Sequence, residues 1–165
     1  MTRTASKLSM VVAALTLVGF GTLAAQNNAS ITVSANVQTP ITVTAANNLD
    51  FGNVFPGVNK SVAVTDAAAG RFNVTGQASA PVSLSFVLPA NLSAGANLLP
   101  IGNWTGNHNT SAAPTGTSFT PSAGATAATL SATGLLFVYV GAQVTPAVSQ
   151  PAGNYTGTVQ MTVVY

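Results

Sequence analysis

Residues 151–165 read Pro-Ala-Gly-Asn-Tyr-Thr-Gly-Thr-Val-Gln-Met-Thr-Val-Val-Tyr. Tyr155, Val159, Met161, Val163 and Tyr165 fall on one face when every second residue is taken, and Thr156, Thr158, Gln160 and Thr162 fall on the other. Successive side chains of a strand point to opposite faces, so the stretch predicts a half-buried β-strand. Its closest counterpart is Ile31 to Val37, where Ile31, Val33, Ala35 and Val37 alternate with Thr32, Ser34 and Asn36.

Working outward, the same pattern recurs. Val82, Leu84, Phe86 and Leu88 form a strong strand bracketed by Pro81 and Pro89, as a residue that cannot donate to a ladder should be placed. Weaker strands are expected at Ile41 and Val43, at Leu49 to Val54, at Lys60 to Thr65 with Val62 and Val64 inward, at Arg71 to Thr75 with Phe72 and Val74 inward, and at Gln143 to Val148. Leu135 to Val140 is apolar on both faces, as a central strand of a sandwich is, and Gly141 is expected to mark a bulge or turn. Asn91 to Thr129, rich in Gly, Asn, Ser, Thr, Ala and Pro, predicts short strands and long loops. Asn47-Asn48 and Pro56-Gly57 supply turns. Short strands between turn residues, with no helix-length periodic segment after the leader, indicate an all-β fold, a sandwich rather than a barrel.

The first 25 residues read as a signal peptide. Arg3 and Lys7 precede a nearly uncharged apolar run, Leu8 to Leu23, and small residues follow at Ala24 and Ala25, where cleavage is expected. A membrane anchor fits less well, because a spanning helix needs about 20 apolar residues and Ser9, Thr16, Gly19, Gly21 and Thr22 dilute the run. The expected organisation is therefore a leader at 1–25, an extension carrying the Ile31 strand at 26–40 and a sandwich domain at 41–165. No membrane span is expected after the leader. The mature chain is expected in the periplasm in transit, then at the cell surface or in the medium.

Arg3 and Lys7 account for the whole formal charge of +2. What remains after cleavage is Asp50, Lys60, Asp66 and Arg71, formally neutral, so no counterion-release term drives binding to nucleic acid. A chain of about 140 residues is the usual size of one domain. It has no cysteine, so no disulfide braces it and no lipid attachment is expected.

The same composition argues against an enzyme. The mature chain holds no glutamate, its only carboxylate pair is Asp50 with Asp66, and any Ser-His-Asp set must use His108. His108 lies in Gly106-Asn107-His108-Asn109, read as a solvated loop, where substitution is expected to be neutral. Asp50 is expected either to point away from Leu49 and Phe51 across a strand or to accept backbone N–H groups in a bend that Gly52 permits, and too few oxygen ligands surround either aspartate in sequence for calcium. Trp104 either stacks on a sugar from a loop or caps the sandwich core, and the cap is favoured. No catalytic, cofactor or metal residue is assigned.

Leu49-Asp50-Phe51-Gly52 after an alternating N-terminal strand, with Pro151-Ala152-Gly153-Asn154-Tyr155-Thr156-Gly157-Thr158 leading to Tyr165, resembles a family of secreted bacterial domains of unknown function that carry LDFG and a closing PGxYxGT strand. More distantly the chain is similar to the spore coat protein U domain, the pilin family of archaic chaperone-usher pili. Two departures stand out: that family usually has a cysteine shortly before its LxFG strand, where this chain has Pro40 and Ile41, and an aspartate where this chain has Gly157. The resemblance implies an immunoglobulin-like sandwich that lacks one strand, leaving a groove beside its last strand. It further implies a homo-oligomer or fibre in which Ile31, Val33, Ala35 and Val37 are donated to a neighbour. Tyr155, Val159, Met161, Val163 and Tyr165 would then border the acceptor groove. A periplasmic chaperone and an outer-membrane usher are the partners so implied. The competing expectation is a monomeric secreted sandwich, its own edge completed by Ile31 to Val37, that binds a surface glycan or protein through Trp104 or Tyr139.

Overall fold

The structure, a computed structural model, describes residues 27–165; the expected signal peptide lies outside the described residues. The chain divides after Ala35. In the first unit, residues 27–35 form neither strand nor helix and all are exposed. Every strand described below lies in the unit from Asn36 to Tyr165.

That unit is an antiparallel β-sandwich. Its larger sheet places β1 (Thr42–Asn47), β3 (Gly70–Thr75), β9 (Leu135–Val144), β6 (Asn97–Asn109) and β5 (Asn91–Ala94) side by side, with β2 (Lys60–Val62) also on β9 and β7 (Thr117–Phe119) also on β6. The smaller sheet runs β10 (Gln160–Val164), β4 (Pro81–Val87) and β8 (Thr126–Thr129).

The alternation read from the sequence fixes which faces meet. Val82, Leu84 and Phe86 of β4 and Met161 of β10 pack against Val74 of β3 and Leu136, Val138 and Val140 of β9. Each such side chain taken out of water contributes about 1.5–3 kcal/mol. β9 is the central strand expected, but it runs straight through Gly141 to Val144, and no separate strand follows over Gln143 to Val148. Gly141 is not a turn because the surrounding backbone closes on it: a Cβ there would stand 2.4 Å from the Val62 carbonyl oxygen.

The stretch from Asn91 to Thr129 differs most from expectation, since β6 alone spans 13 residues. Its alternation breaks at a bulge. Gly102 faces Gln143 and Thr105 faces Gly141, so Asn103 and Trp104 together oppose Ala142. Asn103 has φ 49°, and its Nδ2 donates to Gln143 Oε1 at 2.7 Å. A bulge shifts the inward phase by one residue. Leu99 and Ile101 point inward before it, and Trp104 does so after it. His108, expected in a loop, is instead a β6 residue with its ring 5.8 Å from that of Phe119.

A second cluster, Leu99, Ile101, Ala142 and Val144, occupies the other end of the larger sheet. Nothing from the smaller sheet covers it. Its cover comes from Leu49, Phe51, Val54, Leu92, Trp104 and Tyr155, most of them outside strands. Leu49 to Val54, expected as a strand, is an irregular segment laid across this cluster.

Candidate functional site

Two segments that belong to neither sheet face each other across the second cluster. The first is built on Leu49-Asp50-Phe51-Gly52. Asp50 Oδ1 accepts the Gly52 N–H at 2.7 Å, and Gly52 takes φ +58°, so the bend expected from the sequence is present. The Asp50 N–H donates to the Ala68 carbonyl, and Lys60 Nζ donates to the Asn53 carbonyl at 2.9 Å, which holds the segment to the loop before β3 and to β2. With the polar groups tied this way, Leu49 and Phe51 are left to pack downward.

The opposing segment is Pro151 to Val159. Tyr155 Oη donates to the Pro151 carbonyl at 2.8 Å and accepts from Gln150 Nε2 at 2.7 Å. Thr156 exchanges both backbone hydrogen bonds with Ser93, at 2.9 and 3.0 Å, tying the segment to β5 of the larger sheet. The chain then crosses to the smaller sheet as β10. The closing strand is therefore shorter than its alternation suggests, beginning at Gln160, because the residues before it are committed to β5.

Between these walls lies a cleft of about 1180 Å³. Phe72, Val140, Leu99, Ile101, Trp104 and Val144 are among the side chains that line it. The bulge at Asn103 is what brings Trp104 there. Among the lining residues only Asp50 is charged, and its Oδ1 is already engaged by Gly52. The volume exceeds the usual ~300–1,000 Å³ of a small-molecule site. Its lining is mixed: Leu49, Phe51, Leu99, Ile101 and Trp104 contribute apolar surface, and Asn47, Asn48, Asn53, Gln150 and Asn154 contribute polar surface.

The residues expected to border an acceptor groove are divided by the structure. Tyr155 and Val159 line the cleft. Met161 and Val163 pack into the main core instead. Tyr165 sits at the far end of β10, where its hydroxyl donates to the Thr39 carbonyl and accepts the Gln77 N–H. Leu49 to Pro56, not anticipated as a wall, forms the other side; the sequence marked it only by the Leu49–Gly52 motif and the Asp50–Gly52 bend. The expected donor residues Ile31, Val33 and Val37 are 87%, 86% and 93% exposed, Ala35 is exposed too, and none is in a strand.

A shallower depression of about 630 Å³ holds His108 with Asn109, Thr117 and Ala128. Burial pushes the His108 imidazole below its ordinary pKa, so it is neutral there at neutral pH. Among the described residues, no group of His, Cys, Asp and Glu is placed to hold a metal ion, and no helix is long and apolar enough to cross a membrane.

The family model of a domain of unknown function (DUF4402) matches residues 12–165. No curated protein matches the chain.

Proposed function

We propose that this chain, which belongs to the DUF4402 family, is a structural subunit of a secreted or cell-surface fibre, assembled when Ile31 to Val37 of one copy enters the cleft of the next. The observation that carries this is a pairing of two incomplete features in one molecule. Among the described residues the exposed, alternating aliphatic segment is in no strand and β10 pairs with β4 alone, while the stretch leading into β10, Pro151 to Val159, lines the cleft. An unpaired edge of this kind templates another strand. A segment added beside β10 would gain ladder hydrogen bonds and, where it continues into the cleft, set alternate side chains against its wall, the mode of β-augmentation.

The magnitudes suffice. Ile31, Val33 and Val37 at about 1.5–3 kcal/mol each supply roughly 5–9 kcal/mol before association costs, and ladder bonds at about 1 kcal/mol net add several more. Two extended segments with few charges also carry little electrostatic penalty for meeting. The same edge is hazardous in transit, so this function calls for a periplasmic chaperone to cover it and an outer-membrane usher to exchange it.

Val33→Asp tests the assignment. An unpaired charge buried against the apolar side chains of the cleft, such as Leu99, Ile101 and Trp104, costs several kcal/mol, so polymers seen for the wild type by size-exclusion chromatography and negative-stain microscopy should be lost. The Val33→Asp body should still accept a synthetic peptide of the unmutated segment, because its cleft is unaltered. If the segment completes its own sandwich instead, the substitution destabilises a monomer. A freshly exported, never denatured wild type that stays monomeric at every concentration overturns the fibre assignment.

A further inference from the structure

We infer that Tyr165 is a clasp that anchors the root of the N-terminal extension to the closing strand, so that tension on the extension passes into β10 instead of peeling β1 from the sandwich. The extension enters the fold through Thr39, Pro40 and Ile41 and continues as β1, an edge strand whose only ladder partner among the described residues is β3. Pulled from its first residue, such a strand opens one hydrogen-bonded pair at a time.

The structure supplies a bypass. Tyr165 Oη donates to the Thr39 carbonyl and accepts the Gln77 N–H, the latter at 2.8 Å. Gln77 Oε1 accepts both the N–H and the hydroxyl of Thr39 at 3.2 Å. Three chain segments far apart in sequence therefore meet at one hydroxyl: the root of the extension, the turn after β3, and the residue following β10. The site is shaped for that group, since a Cβ on Gly76 would stand 2.8 Å from Tyr165 Oη and 2.9 Å from Leu130. Tyr165 is nearly half exposed, so burying its ring does not explain why its hydroxyl is satisfied on both sides.

This rests on the fibre assignment in one respect. If the incoming segment of a neighbour pairs along β10, the clasp joins that strand directly to the outgoing extension, and tension crosses each subunit through β10, Tyr165 and Thr39 without loading β1. The cleft and the clasp lie at opposite ends of β10, at Val159 and Tyr165, as a head-to-tail path requires.

Tyr165→Phe keeps the ring and removes only the hydroxyl; Gln77→Ala removes the side-chain oxygen that holds Thr39, leaves the position-77 N–H on Tyr165, and so probes the root of the extension without touching position 165. In the monomer, amide exchange of Gln77, Thr39 and β1 should accelerate by about tenfold or more, the change expected when ordinary hydrogen bonds guarding a local opening are lost. β4 and β9 should exchange as before. Fibres of Tyr165→Phe should form in normal amount and break into shorter lengths than wild-type fibres under the same shear. Unchanged exchange at Thr39 and β1 in both variants overturns the clasp, as does equal resistance to shear. A wild type that never polymerises sinks the fibre assignment alone, and the exchange measurement then decides the clasp by itself.

Discussion

His108 is the sequence's single histidine, and its position in β6 gives the fold a defined response to pH. Partial burial beside Phe119 disfavours the charged ring, so the folded pKa lies below the unfolded value of about 6.5. Above that pH both states are neutral and the full stability is present. As the pH falls, the unfolded chain takes up a proton that the strand resists, and stability declines. Urea unfolding should show a lower midpoint at pH 5.5 than at pH 7.5, and His108→Gln should remove most of that difference. A midpoint equally pH-dependent in His108→Gln assigns the effect elsewhere. The residue was misread from sequence because its neighbours Gly106, Asn107 and Asn109 have loop composition. Asn107 in fact lies buried in the strand, its Oδ1 accepting the Gly116 N–H at 3.0 Å. Asp50 was legible for the opposite reason, because a carboxylate two residues before a glycine carries its own bonding pattern.

At the scale of elements, β4 was readable because nothing competes with its alternation, and β9 was readable as far as Val140, where it is apolar on both faces, while Gly141 and Gln143 hid its last four residues. The length of β6 was not readable. Its inward set changes phase at Asn103, and a pattern that changes phase midway looks like no pattern. The trough was only half legible for a related reason: the closing alternation marks one wall, whereas the other, Leu49 to Pro56, is irregular and is held by hydrogen bonds to Ala68 and Lys60 that no period encodes. The bulge has a practical use, because it puts the sequence's only tryptophan in the trough. Trp104 emission should therefore report occupancy. A peptide of residues 29–39 added to the Val33→Asp protein should shift or quench it saturably, and the same peptide carrying the aspartate should not. Emission indifferent to both peptides would mean that the trough takes some other occupant.

Across the whole molecule, scarcity of charge is the property that most constrains behaviour. From Gln26 onward the sequence holds only Asp50, Lys60, Asp66 and Arg71 of the Asp, Glu, Lys and Arg types, and the cleft and the extension contribute no opposed pair to a junction between copies. Assembly driven by apolar burial and backbone hydrogen bonds is insensitive to screening, whereas charge-steered association weakens as the Debye length falls from about 10 Å at 0.1 M to about 3 Å at 1 M salt. Light scattering of freshly exported subunits should give polymerisation rates within about twofold across that range. A steep fall with salt would point to charge steering and against the trough as the driving contact.

The placement of the two basic residues has an enzymological consequence for any protease that meets this chain. From Gln26 onward, Lys60 and Arg71 are the only sites a trypsin-like protease can use. Lys60 opens β2, with its Nζ bound to the Asn53 carbonyl, and Arg71 lies in β3 between β1 and β9, with its Nε buried. Proteases cut segments that can be drawn out as flexible loops, and here the exposed stretch from residue 27 to 40 contains no lysine or arginine. Arg71 is reached only when the sandwich opens, whereas Lys60, at the end of the exposed run from Phe55, needs only local release of β2 from β9, so the first cut is expected at Lys60 at a rate set by that local opening.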